Sequence, residues 1–174
     1  MILDGLLLFS GVPGTGDLPT TGTQNSTNVL DLGITGLPTS ASGGGARDIG
    51  IGDDPAMKLL VSVITAFASG TSLQIALQGA PDNAAGAPGT YTTMLSGPVV
   101  AEASLIVGAR LLDDDMPRPV PGQAIPRFLR LNYITVGTHT AGALIATIVL
   151  DRHDLPQQAN AVLGGYPPGI AIAN

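Results

Sequence analysis

Cysteine and tryptophan are absent from this 174-residue chain, Lys58 is its one lysine and Glu102 its one glutamate. Without cysteine there is no disulfide framework and no thiolate metal site, which fits a reducing compartment. Charged residues make up 11% of the chain, and seven Lys and Arg stand against thirteen Asp and Glu, a formal net charge of −6. So few basic groups argue against nucleic-acid binding through a basic surface and against membrane attachment through basic residues. Three Tyr and three Phe are the whole aromatic complement, which argues against the stacking platforms of a lectin-like module. Long apolar runs are also missing. The longest, Ala143 to Leu150, contains Thr147 and falls well short of a bilayer-spanning segment of about 20 residues. The opening Met1-Ile-Leu-Asp-Gly-Leu-Leu-Leu-Phe9 lacks a basic flank and is interrupted by Asp4, so it reads as mature structure and not as a signal peptide.

Glycine and proline are abundant instead, 24 and 14 residues, about a fifth of the chain against the usual 12% or so. With 44% hydrophobic residues and a mean hydropathy of +0.36 there is material for a core, which excludes disorder. No glycine recurs every third residue, which excludes collagen. Glycine and proline at this density interrupt helices, so a β-rich domain with many turns remains.

Period-two alternation marks the strands. In Met57 to Phe67 one face carries Met57, Leu59, Val61, Val63 and Phe67; in Thr71 to Gln78 one face carries Leu73, Ile75 and Leu77. Ser69-Gly70 lies between, so these segments are expected to form a hairpin. Arg127 to Thr135 puts Leu129, Leu131 and Tyr133 on one face, and Ala143 to Asp151 is apolar on both. With Gly137 and Gly142 between them, a second long hairpin is expected. A strand apolar on both faces is either central in a sandwich or covered by another subunit. Weaker strands are expected at 28–32, 90–95 and 109–112, and Ala103 to Val107 reads as a short helix or strand. The expected fold is all-β: an antiparallel β-sandwich of jelly-roll type with extended N- and C-terminal arms and long Gly/Pro loops at 11–25 and 35–45. Residues 1–154 form the sandwich domain with its N-terminal arm, and 155–174 an extended Pro-rich C-terminal arm.

Chemical motifs are sparse. Gly11-Val-Pro-Gly-Thr-Gly16 is followed by Asp17 where a phosphate loop needs Lys. Asp53-Asp54 and Asp113-Asp-Asp115 lack the spacing of a calcium loop and read as turn carboxylates. His139 and His153 have no motif partners and read as solvated strand-end residues, while Glu102 has no carboxylate mate. No catalytic residue, cofactor or metal site is expected. Phe67, Phe128 and Tyr133 lie in strand patterns and read as core, which leaves Tyr91 and Tyr166 as the freer aromatics.

The opening Met1 to Ser10 is similar to the start of capsid cement proteins of tailed bacteriophages, of the Bordetella-phage type. Ser26-Thr-Asn-Val-Leu-Asp-Leu-Gly33, Ala46-Arg-Asp-Ile-Gly-Ile-Gly52, Arg127-Phe-Leu-Arg-Leu-Asn-Tyr133, and Thr140-Ala-Gly142 leading into Val149-Leu-Asp-Arg152 resemble further blocks, in the family's order, over residues 1–155. The longer loops at 11–25 and 35–45 and the Asp113–Asp115 cluster depart from the pattern. The resemblance implies a jelly-roll structural protein, a dimer or trimer, that binds the outside of the phage head and bridges subunits of the major capsid protein. It places the chain on the outer capsid surface of a virion assembled in the host cytoplasm, with neither nucleic acid nor membrane as partner. The apolar arm residues Ile2, Leu3, Leu6, Leu7, Leu155, Leu163, Tyr166, Pro167 and Ile170 are the expected capsid or subunit contacts. Two other classes stay open. A receptor- or glycan-binding virion module requires Tyr91 or Tyr166 exposed in loops. An enzyme requires His139 or His153 to meet Ser and Asp in space.

Overall fold

The computed structural model describes residues 7–11, 16–33, 57–117, 122 and 125–149. In chain order the strands of the described residues are β1 (Leu8–Ser10), β2 (Thr21–Asn25), β3 (Leu30–Asp31), β4 (Lys58–Ala80), β5 (Thr92–Ser96), β6 (Val100–Ala101), β7 (Arg110–Asp115) and β8 (Phe128–Val149), with a 3-10 turn at Glu102–Ser104. All recorded pairings are antiparallel.

Two strands carry the fold. β4 has 23 residues and β8 has 22, and they pair from Lys58 opposite Val149 to Ala80 opposite Phe128. β1, β2 and β3 line the other side of β8; β5, β6 and β7 line the other side of β4. The register of the long pair breaks repeatedly between Val63 and Ser72. These breaks divide it into two halves. Residues 58–63 of β4 pair with 144–149 of β8, flanked by β7 and β1, and residues 72–80 pair with 128–136, flanked by β5, β6, β2 and β3. Long strands that pass from one layer to another at bulges make the corners of a sandwich.

The expected hairpins are therefore corrected. Ser69-Gly70 does not reverse the chain, and neither does the stretch from Val136 to Gly142; each pair of expected strands is one bent strand, and the pairing runs between β4 and β8. Ser69 adopts φ 69°, Gly137 φ 78° and Gly142 φ 137°, so the left-handed residues bend the ladder without closing a turn.

The bend also resets which side chains face inward. Along β4 the core residues are odd-numbered throughout: Leu59, Val61, Val63 and Phe67, then Leu73, Ile75 and Leu77. Along β8 they change from odd (Leu129, Leu131, Tyr133) to even (Leu144, Ala146, Ile148). Because successive side chains alternate faces, that change requires a one-residue offset between the strands: from Val63 opposite Leu144 to Ser72 opposite Val136, β4 advances nine positions and β8 eight. Inner residues of both halves then join one core with Phe9, Leu30, Leu105 and Leu111. Each fully buried Leu or Val adds about 1.5–3 kcal/mol. The all-β antiparallel sandwich expected from the sequence is what these residues form. Residues 144–149 of β8 are buried on both faces within the chain, as befits a strand between β4 and β1.

Two glycine–aromatic contacts fix the bend. The ring of His139 lies over Gly70, where an added Cβ would come within 2.0 Å of it. The ring of Phe67 lies over Gly142, where a Cβ would come within 2.6 Å. Each long strand thus gives one ring and one glycine, and the two rings meet edge to face at 5.1 Å and 84°. His139 is 1% exposed, not a solvated strand-end residue, because the strand does not end there. The 11–25 loop is also corrected in part: Thr21–Asn25 is an edge strand, with Gly22 at a bulge.

Since the His139 ring is walled in by Phe67, it has little room to yield to a methyl group at Gly70. Gly70→Ala is expected to lower unfolding stability in urea by about 1–3 kcal/mol, the usual cost of overpacking. An unchanged midpoint would show that the bend does not depend on this contact.

Candidate functional site

Most ion pairs of the described residues lie toward the ends of β4 and β8. At one extremity Arg127, beside Phe128 at the start of β8, grips Asp31 of β3 with two hydrogen bonds, Nε to Oδ1 at 2.8 Å and Nη2 to Oδ2 at 2.9 Å. Its Nη1 reaches Asp82, and its guanidinium stands 4.8 Å from the Phe128 ring centre. A planar fork suits such two-point recognition of carboxylates. The Arg127 guanidinium is held more firmly protonated than usual, first by its hydrogen bond to Asp31 and then by Asp82. Arg127 so ties β3, the loop after β4 and β8 together.

At the other extremity β7, an edge strand among the described residues, bears Asp113, Asp114 and Asp115 beside residues 58–60 of β4. Asp115 accepts a 2.6 Å ion-paired hydrogen bond from Lys58, whose amine is raised chiefly by that contact. Arg110 lies 3.6 Å from Asp113. A row of carboxylates along an open edge discourages pairing with a further strand. Among the described residues no group of three or more His, Cys, Asp or Glu is arranged to hold a metal ion.

A polar groove of about 450 Å³ lies between the 17–19 segment and β2. Asp17, Thr23, Asn25 and Thr27 line it, Tyr133 borders it, and Thr27 donates its hydroxyl hydrogen bond to Asp17. Burial drives the Tyr133 hydroxyl well above the ordinary tyrosine range, with Ser10 opposing and Asp17 reinforcing the shift. That hydroxyl is buried without a well-formed hydrogen bond. Tyr91, read as a free aromatic, is half-buried beneath Arg130, whose guanidinium stands 3.7 Å from its ring centre. Burial raises the Tyr91 hydroxyl and Arg130 opposes the shift. With one face covered, Tyr91 is not an open stacking platform.

Among the described residues His139 does not meet a serine and an aspartate. Both its ring nitrogens are buried without hydrogen-bond partners, and the ring contacts Phe67 and Gly70. Glu102 sits half-buried in the 3-10 turn. Of the expected contact residues, Leu7 is described: it is half-buried against the core, and its carbonyl accepts the Thr147 hydroxyl at 3.0 Å. Ile2, Leu3, Leu6, Leu155, Leu163, Tyr166, Pro167 and Ile170 lie outside the described residues, as do His153, Asp53, Asp54 and the 35–45 loop.

The segments at the bend are poorer in charge, with Asp17 bonded to Leu144 and Arg110 opposite Ser62 at their margins. Residues 61–76, 92–109 and 131–149 contain one Asp, Glu, Lys or Arg between them, Glu102. Val99, Ile106, Val107 and Val136 are exposed at 64%, 61%, 65% and 54%. Composition did not single these residues out, because apolar side chains in a β protein ordinarily read as core. The available signal was the lack of charge across three separate segments.

Burial of Tyr133 has a pH consequence. The unfolded chain ionises this phenol near pH 10, while the fold keeps it neutral to higher pH. Its contribution to stability is complete below about pH 10 and is lost as pH rises toward the folded value. An absorbance titration is expected to show a phenol that ionises only with alkaline unfolding, and Tyr133→Phe removes that component. Ionisation of this phenol near pH 10 in the folded protein would contradict it.

The sequence model of a family described as Bbp16 matches residues 18–148, about three-quarters of the chain. The match spans both long strands and the bend. No curated protein matches the chain.

Proposed function

The chain belongs to the Bbp16 family, named in the style of Bordetella phage proteins, and from that premise we propose that it is a capsid cement protein. In this role it binds the outer surface of the phage head, bridges major capsid protein subunits and reinforces the shell. The observation that carries the reading is family membership over residues 18–148, joined to the cement-protein resemblance of the sequence blocks.

The architecture suits the task. A cement protein must hold its shape while the shell beneath it is under load. Here two strands of 23 and 22 residues run through both layers of the sandwich, so the layers share continuous hydrogen-bonded backbone. Loops at the Arg127 extremity are drawn in by ion pairs. A net charge of −6 gives no attraction for packaged nucleic acid. Many copies, each with modest contact area, reach strong attachment through multivalency. The covered ring of Tyr91 weighs against the glycan-binding alternative.

Purified protein mixed with heads of its own phage lacking it is expected to co-sediment in fixed stoichiometry and to raise the temperature at which the heads release DNA. Protein that stays in the supernatant, with head stability unchanged, rejects the reading.

A further inference from the structure

Ile106, Val107, Gly108 and Ala109 form a tight turn closed by the Ala109 amide donating to the Ile106 carbonyl at 2.9 Å. Gly108, with φ 84°, occupies the position where a type II turn needs a left-handed residue. Both sides of this turn are tied to β4. The Gly108 amide donates to Val63, the Val63 amide to Ala109, and the Phe67 amide to the Leu105 carbonyl, all at 2.8–3.0 Å. Leu105, just before the turn, is fully buried in the core. The apolar tip is therefore held rigidly against the bend, although Ile106 and Val107 are 61% and 65% exposed.

Nearby segments have the same character. Val99 immediately precedes β6, whose Val100 and Ala101 pair with Leu73 and Ser72 at the bend. Ser72 also pairs with Val136 of β8. Exposed hydroxyl residues Thr65, Ser69, Thr71, Thr138 and Thr140 surround the bend. Glu102, Arg110 and Asp17 are the charges beside these segments, and fixed apolar side chains with interspersed hydroxyls and few charges resemble the centre of a protein interface. The same lack of charge disfavours phosphate-rich nucleic acid and anionic membranes as partners.

We propose that the bend end, centred on the Ile106–Val107 turn with Val99 and Val136 beside it, is the surface that docks on an uncharged, apolar patch of the capsid shell. This inference rests on the cement reading. Size favours the shell over a second copy of the chain. Four exposed side chains offer on the order of a few hundred Å², below the roughly 800 Å² per partner of a stable pairwise interface. Such a contact holds where it is repeated across a lattice. Rigidity adds to its worth, because a fixed turn loses little freedom on binding.

The test compares wild-type protein, an Ile106→Asp/Val107→Asp variant and an Asp114→Ala control from the far extremity in co-sedimentation with undecorated heads. Circular dichroism and sedimentation velocity accompany each. The tip variant is expected to keep its fold and oligomeric state and to lose roughly tenfold or more in apparent affinity, while the control binds as wild type. If the charged pair disturbs folding, Ile106→Thr/Val107→Thr is used and the same loss is expected. Equal head binding by wild type and a folded tip variant overturns this inference and leaves the cement reading intact. A changed oligomeric state with head binding preserved also overturns it, and makes the turn a contact between copies. Failure of wild-type protein itself to bind heads removes the cement reading and this inference together.

Discussion

The interlock of Phe67 over Gly142 and His139 over Gly70 governs the arrangement of everything else in the molecule. Two antiparallel strands of more than twenty residues would by themselves make a long twisted ribbon with one exposed apolar face. A core forms only when the ribbon folds on itself. Glycines without side chains let the rings approach the backbone at the crossing, and the left-handed Ser69, Gly137 and Gly142 supply the bend. The one-residue offset between the strands at the bend then lets Leu144, Ala146 and Ile148 face the same core as Leu129 and Leu131. The burial of His139 with both ring nitrogens unpartnered costs free energy, on the order of 1–3 kcal/mol for an unsatisfied buried group. The packing around it must offset that cost.

From this constraint follows a division of surface chemistry. The ends remote from the bend carry most of the ion pairs, Arg127 with Asp31 and Asp82 at one and Lys58 with Asp115 at the other, while Arg110, directly after the Ile106–Ala109 turn, lies beside Asp113. Exposed pairs of this kind add little stability individually. Their effect is to position β3 and the 81–91 loop, and to blunt the β7 edge. The bend is poorer in charge and holds exposed Val99, Ile106, Val107 and Val136, while exposed Val29 and Ile125 stand nearer the Arg127 extremity. A protein that attaches by one end and presents the other to solvent has this polarity.

Much of the layering was legible in the sequence, because alternation is a local signal. Leu59, Val61, Val63, Phe67, Leu73, Ile75, Leu77, Leu129, Leu131 and Tyr133 were all assigned to shared faces, and all lie in the core. The pairing was not legible. Ser69-Gly70 has turn chemistry, and a residue with positive φ, here Ser69, closes a hairpin or bends a strand depending on which partner lies alongside. Here each half of β4 has a better partner in β8, 48 or more residues away, than in the other half of itself. β2 was missed because an exposed edge strand, Thr21-Gly-Thr-Gln-Asn25, needs no apolar alternation. The burial of His139 was hidden for the same reason as the bend. The apolar turn at Ile106 and Val107 was hidden because local composition does not reveal whether such residues face inward. The arms on which the sequence placed its contacts lie, apart from Leu7, outside the described residues.

An electron cryomicroscopy reconstruction of the phage head, compared with one lacking this protein, tests the central claim most directly. The account predicts additional density on the outer shell that fits the bent two-strand sandwich. It also predicts the Ile106–Val107 end against the shell and the Arg127 and Asp113–Asp115 extremities turned toward solvent. Heads with no such density, or with the bend end pointing away from the shell, would contradict it.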